Sequence, residues 1–123
     1  MKKIIWMFGF TLSVLCMNAA DIAEIISSFK EGRASEIAEN MDAEVDIAVP
    51  GSTKKGSGAD AIVLLTHFFE SKKPTGFTVL HHADKNENGF VVGRLATGDG
   101  EFRVNITYHT KDNKLFIQSI RIE

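Results

Sequence analysis

Apolar and polar residues alternate strictly from Phe102 to His109: Phe102, Val104, Ile106 and Tyr108 fall on one side, Arg103, Asn105, Thr107 and His109 on the other. That is the period of a half-buried β-strand. The surrounding stretch, residues 76–122, reads as four strands joined by short polar connections: Asn88-Gly89, Gly98-Asp99-Gly100 and Asp112-Asn113. The pattern predicts an antiparallel meander whose Phe102 face needs a cover. Its other strands alternate less cleanly. Phe77, Val79 and His81 oppose Thr78, Leu80 and His82; Phe90 and Val92 oppose Val91 and Leu95; Leu115 and Ile117 oppose Phe116, Ile120 and Ile122. Apolar residues on both faces point to self-association as a homodimer through the outer sheet face.

The cover comes from upstream. Ile22, Ile25, Ile26 and Phe29 recur at helical spacing, with Asp21 as cap and Glu24 three residues on. Gly32 breaks the run before a short second helix, 34–39, in which Ile37 and Ala38 continue the covering face. Val45, Ile47 and Val49 then alternate with Glu44, Asp46 and Ala48 as a strand stopped by Pro50-Gly51. Gly51 and Gly56 have the spacing of a phosphate-binding loop, but Ser57-Gly58 stand where Lys and Ser or Thr are required. Residues 52–58 are therefore a solvated turn or a short edge strand. Ser57 and Asp60 launch a helix over 59–72 whose Ala61, Leu64, Leu65, Phe68 and Phe69 share a face, and Pro74 ends it.

The start of the chain does not fit this scheme. Lys2 and Lys3, the apolar run from Ile4 to Leu15 and the small pair Ala19-Ala20 match a secretory signal peptide over residues 1–20, leaving one domain, 21–123, in the periplasm or outside the cell. The run is too short for a membrane span, so an integral membrane protein is not expected. Cys16 is the single cysteine, and a lipid anchor there would need Gly, Ala or Ser where Leu15 stands. Cleavage leaves no thiol. Of 14 basic and 16 acidic residues, the leader holds Lys2 and Lys3 alone, so the domain carries 12 against 16, a net charge near −4. Without a basic stripe, nucleic acid is excluded as a partner.

Candidate chemistry is sparse, with no catalytic motif and no metal site or cofactor expected. His81 and His82, adjacent in a strand, face opposite ways, with His81 on the side of Phe77 and thus toward the helices. The other histidines are His67 and His109. Tyr108, the single tyrosine, is a core aromatic with its hydroxyl at the rim, or an oxyanion donor. Glu44 and Asp46 alternate with the apolar face and point outward. Arg94 shares the parity of Phe90 and Val92; it either faces a pocket, where it could hold a carboxylate, or pairs on the outer face with Glu101 or Asn105.

The order of helices, strand, long helix and four-stranded meander resembles the nuclear transport factor 2-like (cystatin-like) α+β superfamily. More narrowly it resembles small secreted bacterial domains of unknown function within it. The residues that carry the likeness are Ile25-Ile26 before Phe29 and Gly32, Val45-Asp46-Ile47 before Pro50-Gly51, His67-Phe68-Phe69, Val92-Gly93-Arg94-Leu95 with Thr97 and Gly98, and Phe102-Arg103-Val104. The resemblance implies an α+β cone: N-terminal helices packed on a strongly curved antiparallel sheet, with a pocket at the open end. Tyr108, His81, Arg94 and Phe68 are the candidates for its wall. Relatives include isomerases and dehydratases as well as binding and dimerisation modules, and fold does not choose among them. The expected function is an exported, non-catalytic domain binding a small, partly apolar ligand or a protein partner. The alternative is an isomerase- or dehydratase-type enzyme using a pocket carboxylate and Tyr108.

Overall fold

The computed structural model describes residues 17–85 and 87–123, with side chains from Ile22 onward except Lys85. Helix α1 (Met17–Glu31) leads into a 3-10 helix (Ala34–Asn40) and strands β1 (Met41–Val49) and β2 (Ser52–Gly56). Helix α2 (Gly58–Lys72) precedes the meander β3 (Pro74–Lys85), β4 (Asn88–Thr97), β5 (Gly100–Lys111) and β6 (Lys114–Ile122). The expected leader lies outside the described residues as far as position 16. Residues 17–20 form the first turn of α1, which places Asp21 within the helix instead of at its cap. Among the described residues no helix is long and apolar enough to cross a membrane.

All strands join one sheet in the order β2-β1-β6-β5-β4-β3. Neighbours are antiparallel except β1 and β6, which run parallel. The class is α+β, and the sheet is mixed where a purely antiparallel one was expected, because β1 pairs with the distant last strand. β2, read as a turn or short edge strand, pairs as an edge strand on β1.

Local chemistry explains the boundaries. Gly32, at φ 71°, ends α1, a left-handed position that glycine takes without strain. The Ser57 hydroxyl accepts from the Asp60 N–H at 3.2 Å and caps α2, as its sequence predicts. Lys73 closes the helix in a left-handed conformation, its N–H donating to the Phe69 carbonyl at 2.8 Å. The short second helix winds at three residues per turn, so Ala34, Ile37 and Asn40 face inward and Ala38 is exposed, not part of the cover.

The helices lay Ile25, Phe29, Leu65, Phe68 and Phe69 onto Leu95, Val104, Ile106, Leu115 and Ile117. Each such side chain contributes roughly 1.5–3 kcal/mol of transfer free energy. Phe29 sits edge-on to Phe69 at 5.3 Å and tilted against Phe77 at 5.7 Å, so rings fill the space around it.

Of the register shifts in the sheet, those in the middle of β3 and of β6 break the expected alternation. Leu80 is an extra residue in β3, since Val79 pairs with Gly93 and His81 with Val92. Gln118 is extra in β6, where Ile117 pairs with Tyr108 and Ser119 with Thr107. The second bulge resets the phase so that Leu115, Ile117, Ile120 and Ile122 all turn inward. The first connection also moves. Lys85 pairs with Asn88 and Asp84 with Gly89, so the expected turn pair Asn88-Gly89 lies inside β4. At the last connection Asp112 and Asn113 hold φ of 54° and 63°, the left-handed pair a tight hairpin requires.

Candidate functional site

Functional features concentrate where the first meander connection brings together the end of β3, the start of β4 and the end of β5. Tyr108, 2% exposed, lies on the inner face with Val104 and Ile106. Its ring crosses Gly89, and its hydroxyl donates to Asp84 Oδ1 on β3. A Cβ at position 89 would stand 2.6 Å from both Cζ and the hydroxyl oxygen of Tyr108. The glycine that resembled a turn residue is thus the opening through which β5 reaches β3. Asp84 Oδ2 lies 3.4 Å from His82 Nε2. Burial first, then the hydrogen bond to Asp84, then that carboxylate's charge push the Tyr108 phenol well above its ordinary range. Because the phenol already donates to a carboxylate, the cluster works as a strap across three strands.

On the other side of the sheet, at the same end, lies a groove of about 460 Å³ lined by Ala83, Asn88, Gly89, Phe90, Thr107, Tyr108 and Gln118. Ala83, Phe90 and Thr107 have the opposite parity to the buried Val91 and Ile106, so the groove opens away from the helices. The Thr107 and Ser119 hydroxyls are hydrogen-bonded to each other. His81 tilts against Phe90 with ring centroids 5.3 Å apart. Beyond Asn88, whose cross-strand neighbour is His109, the His109 Nε2 atom lies 3.0 Å from Asp42 Oδ2, and its ring is 5.6 Å from Phe116.

The sequence-derived candidates scatter. Tyr108 occupies the core with its hydroxyl on Asp84. His81, expected to face the helices, is exposed: the Leu80 bulge shifts the phase so that His82, itself exposed, is the one paired with the buried Val91. Arg94 does not face a pocket in the core: β4 presents Val91, Gly93 and Leu95 inward, and Arg94 Nε stands 3.5 Å from Glu101 Oε1. It borders a smaller hollow of about 230 Å³ with Leu80, Glu101 and Arg103. Phe68 packs edge-on to Phe102 at 5.4 Å, inside the core. Glu44 and Asp46 point outward, Glu44 lying 3.9 Å from Lys55 Nζ. Among the described residues no three histidine or carboxylate side chains gather as a metal-binding set.

Asp84, Phe90, Thr107 and Gln118 were not singled out by sequence. Asp84 fell between the strand ending at His82 and the expected Asn88-Gly89 turn, and Phe90 was read on the parity of Arg94, whose face the sequence left open.

A family model described as Domain of unknown function (DUF4783) matches residues 22–123. The chain belongs to this family. A DUF4783 protein from Bacteroides ovatus is 34% identical, with a TM-score of 0.76 over 81% of this chain and 91% of its own. One from Bacteroides uniformis is 33% identical, with a TM-score of 0.78 over 82% and 94%. An NTF2-like protein of unknown function from Cytophaga hutchinsonii shares the fold at 10% identity, with a TM-score of 0.58 over 83% and 84%. No curated protein matches the chain. The DUF4783 fold is therefore nuclear transport factor 2-like, as its sequence predicts.

Proposed function

We propose that this DUF4783 domain is exported and non-catalytic, and that it holds a small, partly apolar ligand in the groove at Phe90. The observation that supports the reading is the groove itself. Its volume of about 460 Å³ falls in the range of small-molecule clefts, and its lining combines Phe90 with the uncharged polar Asn88, Thr107 and Gln118. The expected site lay between helices and sheet, where Phe29, Phe69 and Phe77 now fill the space around one another. Export to the periplasm or beyond rests on the leader-like residues 1–20.

The isomerase or dehydratase alternative requires Tyr108 to donate toward a developing oxyanion. Its proton goes to Asp84 instead, and burial makes the phenol a weaker acid, both of which weigh against that role. The test is a thermal-shift screen of small neutral and charged amphiphiles on the full chain and on Phe90→Ala. A ligand at about tenfold excess over its Kd adds ~1.4 kcal/mol, a rise of several degrees. Neutral ring compounds should stabilise the parent and not the variant. Hits that act equally on both proteins contradict the groove.

A protein partner is the second reading, favoured by one feature. Val79 and Leu80 are 40% and 48% exposed on β3, which among the described residues pairs only with β4 and so offers an edge for a second copy. This relocates the homodimer expected through the outer face to the adjoining edge. Sedimentation velocity should show dimers that Leu80→Lys disrupts; a monomer at every concentration contradicts it.

A further inference from the structure

We infer that the ligand of the groove is a neutral, hydroxylated ring of the saccharide type, stacked by its apolar face on Phe90. The inference rests on the groove reading above and adds the class of molecule. Among the described residues no charged side chain lines the groove, so an ionised ligand would give up hydration against them without gaining a partner. The nearest imidazoles have other neighbours: His81 leans on Phe90, and His109 is paired with Asp42.

The groove is open along one side, and Asn88, Thr107 and Gln118 are exposed. A bound molecule would therefore have one face on an aromatic ring and the rest in water. A wholly apolar ligand would leave much of its surface wet. A sugar ring resolves the conflict, because its C–H face carries partial positive charge toward the negative face of Phe90 while its hydroxyl edge meets the rim. The rim suits that edge. Asn88 and Gln118 each present a carbonyl acceptor and an amide donor side by side, the pattern that pairs with neighbouring hydroxyls. Thr107 is held in place by Ser119, and Gln118 reaches the groove as the extra residue of the β6 bulge. Phe90 itself is steadied by His81.

Isothermal titration of the full chain tests this with a panel of neutral mono- and disaccharides, with glucuronate as the charged counterpart and indole as a flat ring without hydroxyls. At least one neutral saccharide should bind, with glucuronate weaker by tenfold or more. Phe90→Leu, which keeps an apolar side chain but removes the flat face, should weaken the saccharide at least tenfold, and Arg94→Ala, outside the groove, should leave it unchanged. If indole binds in a Phe90-dependent way and no saccharide does, the saccharide inference is overturned while the groove reading stands. If no probe binds in a Phe90-dependent way, both fall.

Discussion

Alanine in place of Gly89 would put a methyl group where the Tyr108 ring now lies, with its Cβ 2.6 Å from Tyr108 Cζ and against Asp84 Oδ1. Something has to move. Tyr108 is almost fully buried, whereas the Asp84 side chain is about half exposed and can swing into water. Relief therefore begins with loss of the Tyr108–Asp84 hydrogen bond, and a buried hydroxyl without an acceptor costs ~1–3 kcal/mol. The ring must still shift, an overpacking cost of another ~1–3 kcal/mol. Allowing for overlap, the expected loss is about 2–5 kcal/mol, a drop in Tm of roughly 10–30 °C for a domain of this size.

Gly89 is not among the glycines with positive φ, so backbone strain does not confuse the result. Two other glycines calibrate it. A Cβ at Gly76 meets nothing within 4 Å, so Gly76→Ala should be neutral or stabilising by up to ~1 kcal/mol. A Cβ at Gly93 would lie 2.7 Å from Phe77 Cε2, and Gly93→Ala should cost ~1–3 kcal/mol. Urea and thermal unfolding followed by circular dichroism measure all three. Tyr108→Phe alone should cost ~0.5–1.5 kcal/mol, and combined with Gly89→Ala it should cost less than the sum, since both remove the same bond. Gly89→Ala within ~0.5 kcal/mol of the parent, or Gly76→Ala equally damaging, would refute the strap.

Further outcomes follow from the same geometry. Tyr108 is the only tyrosine, so absorbance near 295 nm reports its ionisation alone. Because its folded pKa is raised above the unfolded value of about 10, the folded state holds the proton more tightly; its contribution is intact below that pH and lost above it, and Tyr108→Phe should flatten the decline. Ser57→Ala removes the cap of α2 and should cost ~1 kcal/mol, read as a Tm lower by roughly 4–8 °C. Arg94→Ala breaks an exposed ion pair with Glu101 and should change stability by ~0–1 kcal/mol in denaturant titration; a larger loss would mean the pair is more than a surface contact.

The fold was legible where local chemistry is decisive: the alternation through Tyr108, the Ser57 cap, Gly32 and the Asp112-Asn113 hairpin each announce their structure within a few residues. The β1–β6 pairing was not, since joining strands so distant in sequence leaves no local pattern. The site was harder because parity counting assumes an unbroken strand. One extra residue, Leu80, gives His82 instead of His81 the pairing parity of the buried Val91, and another, Gln118, restores Ile120 and Ile122 to the core while lining the groove. Asn88-Gly89 is a strong hairpin signal, yet Gly89 is used for close approach of Tyr108, a need set by a residue on another strand.

The most direct test of the account is amide chemical-shift mapping of the full chain with a cocktail of small neutral ring compounds. Shifts should cluster at Ala83, Asn88, Phe90, Thr107 and Gln118. Shifts clustered instead at Phe29, Leu65 and Leu95, between the helices and the sheet, would contradict it.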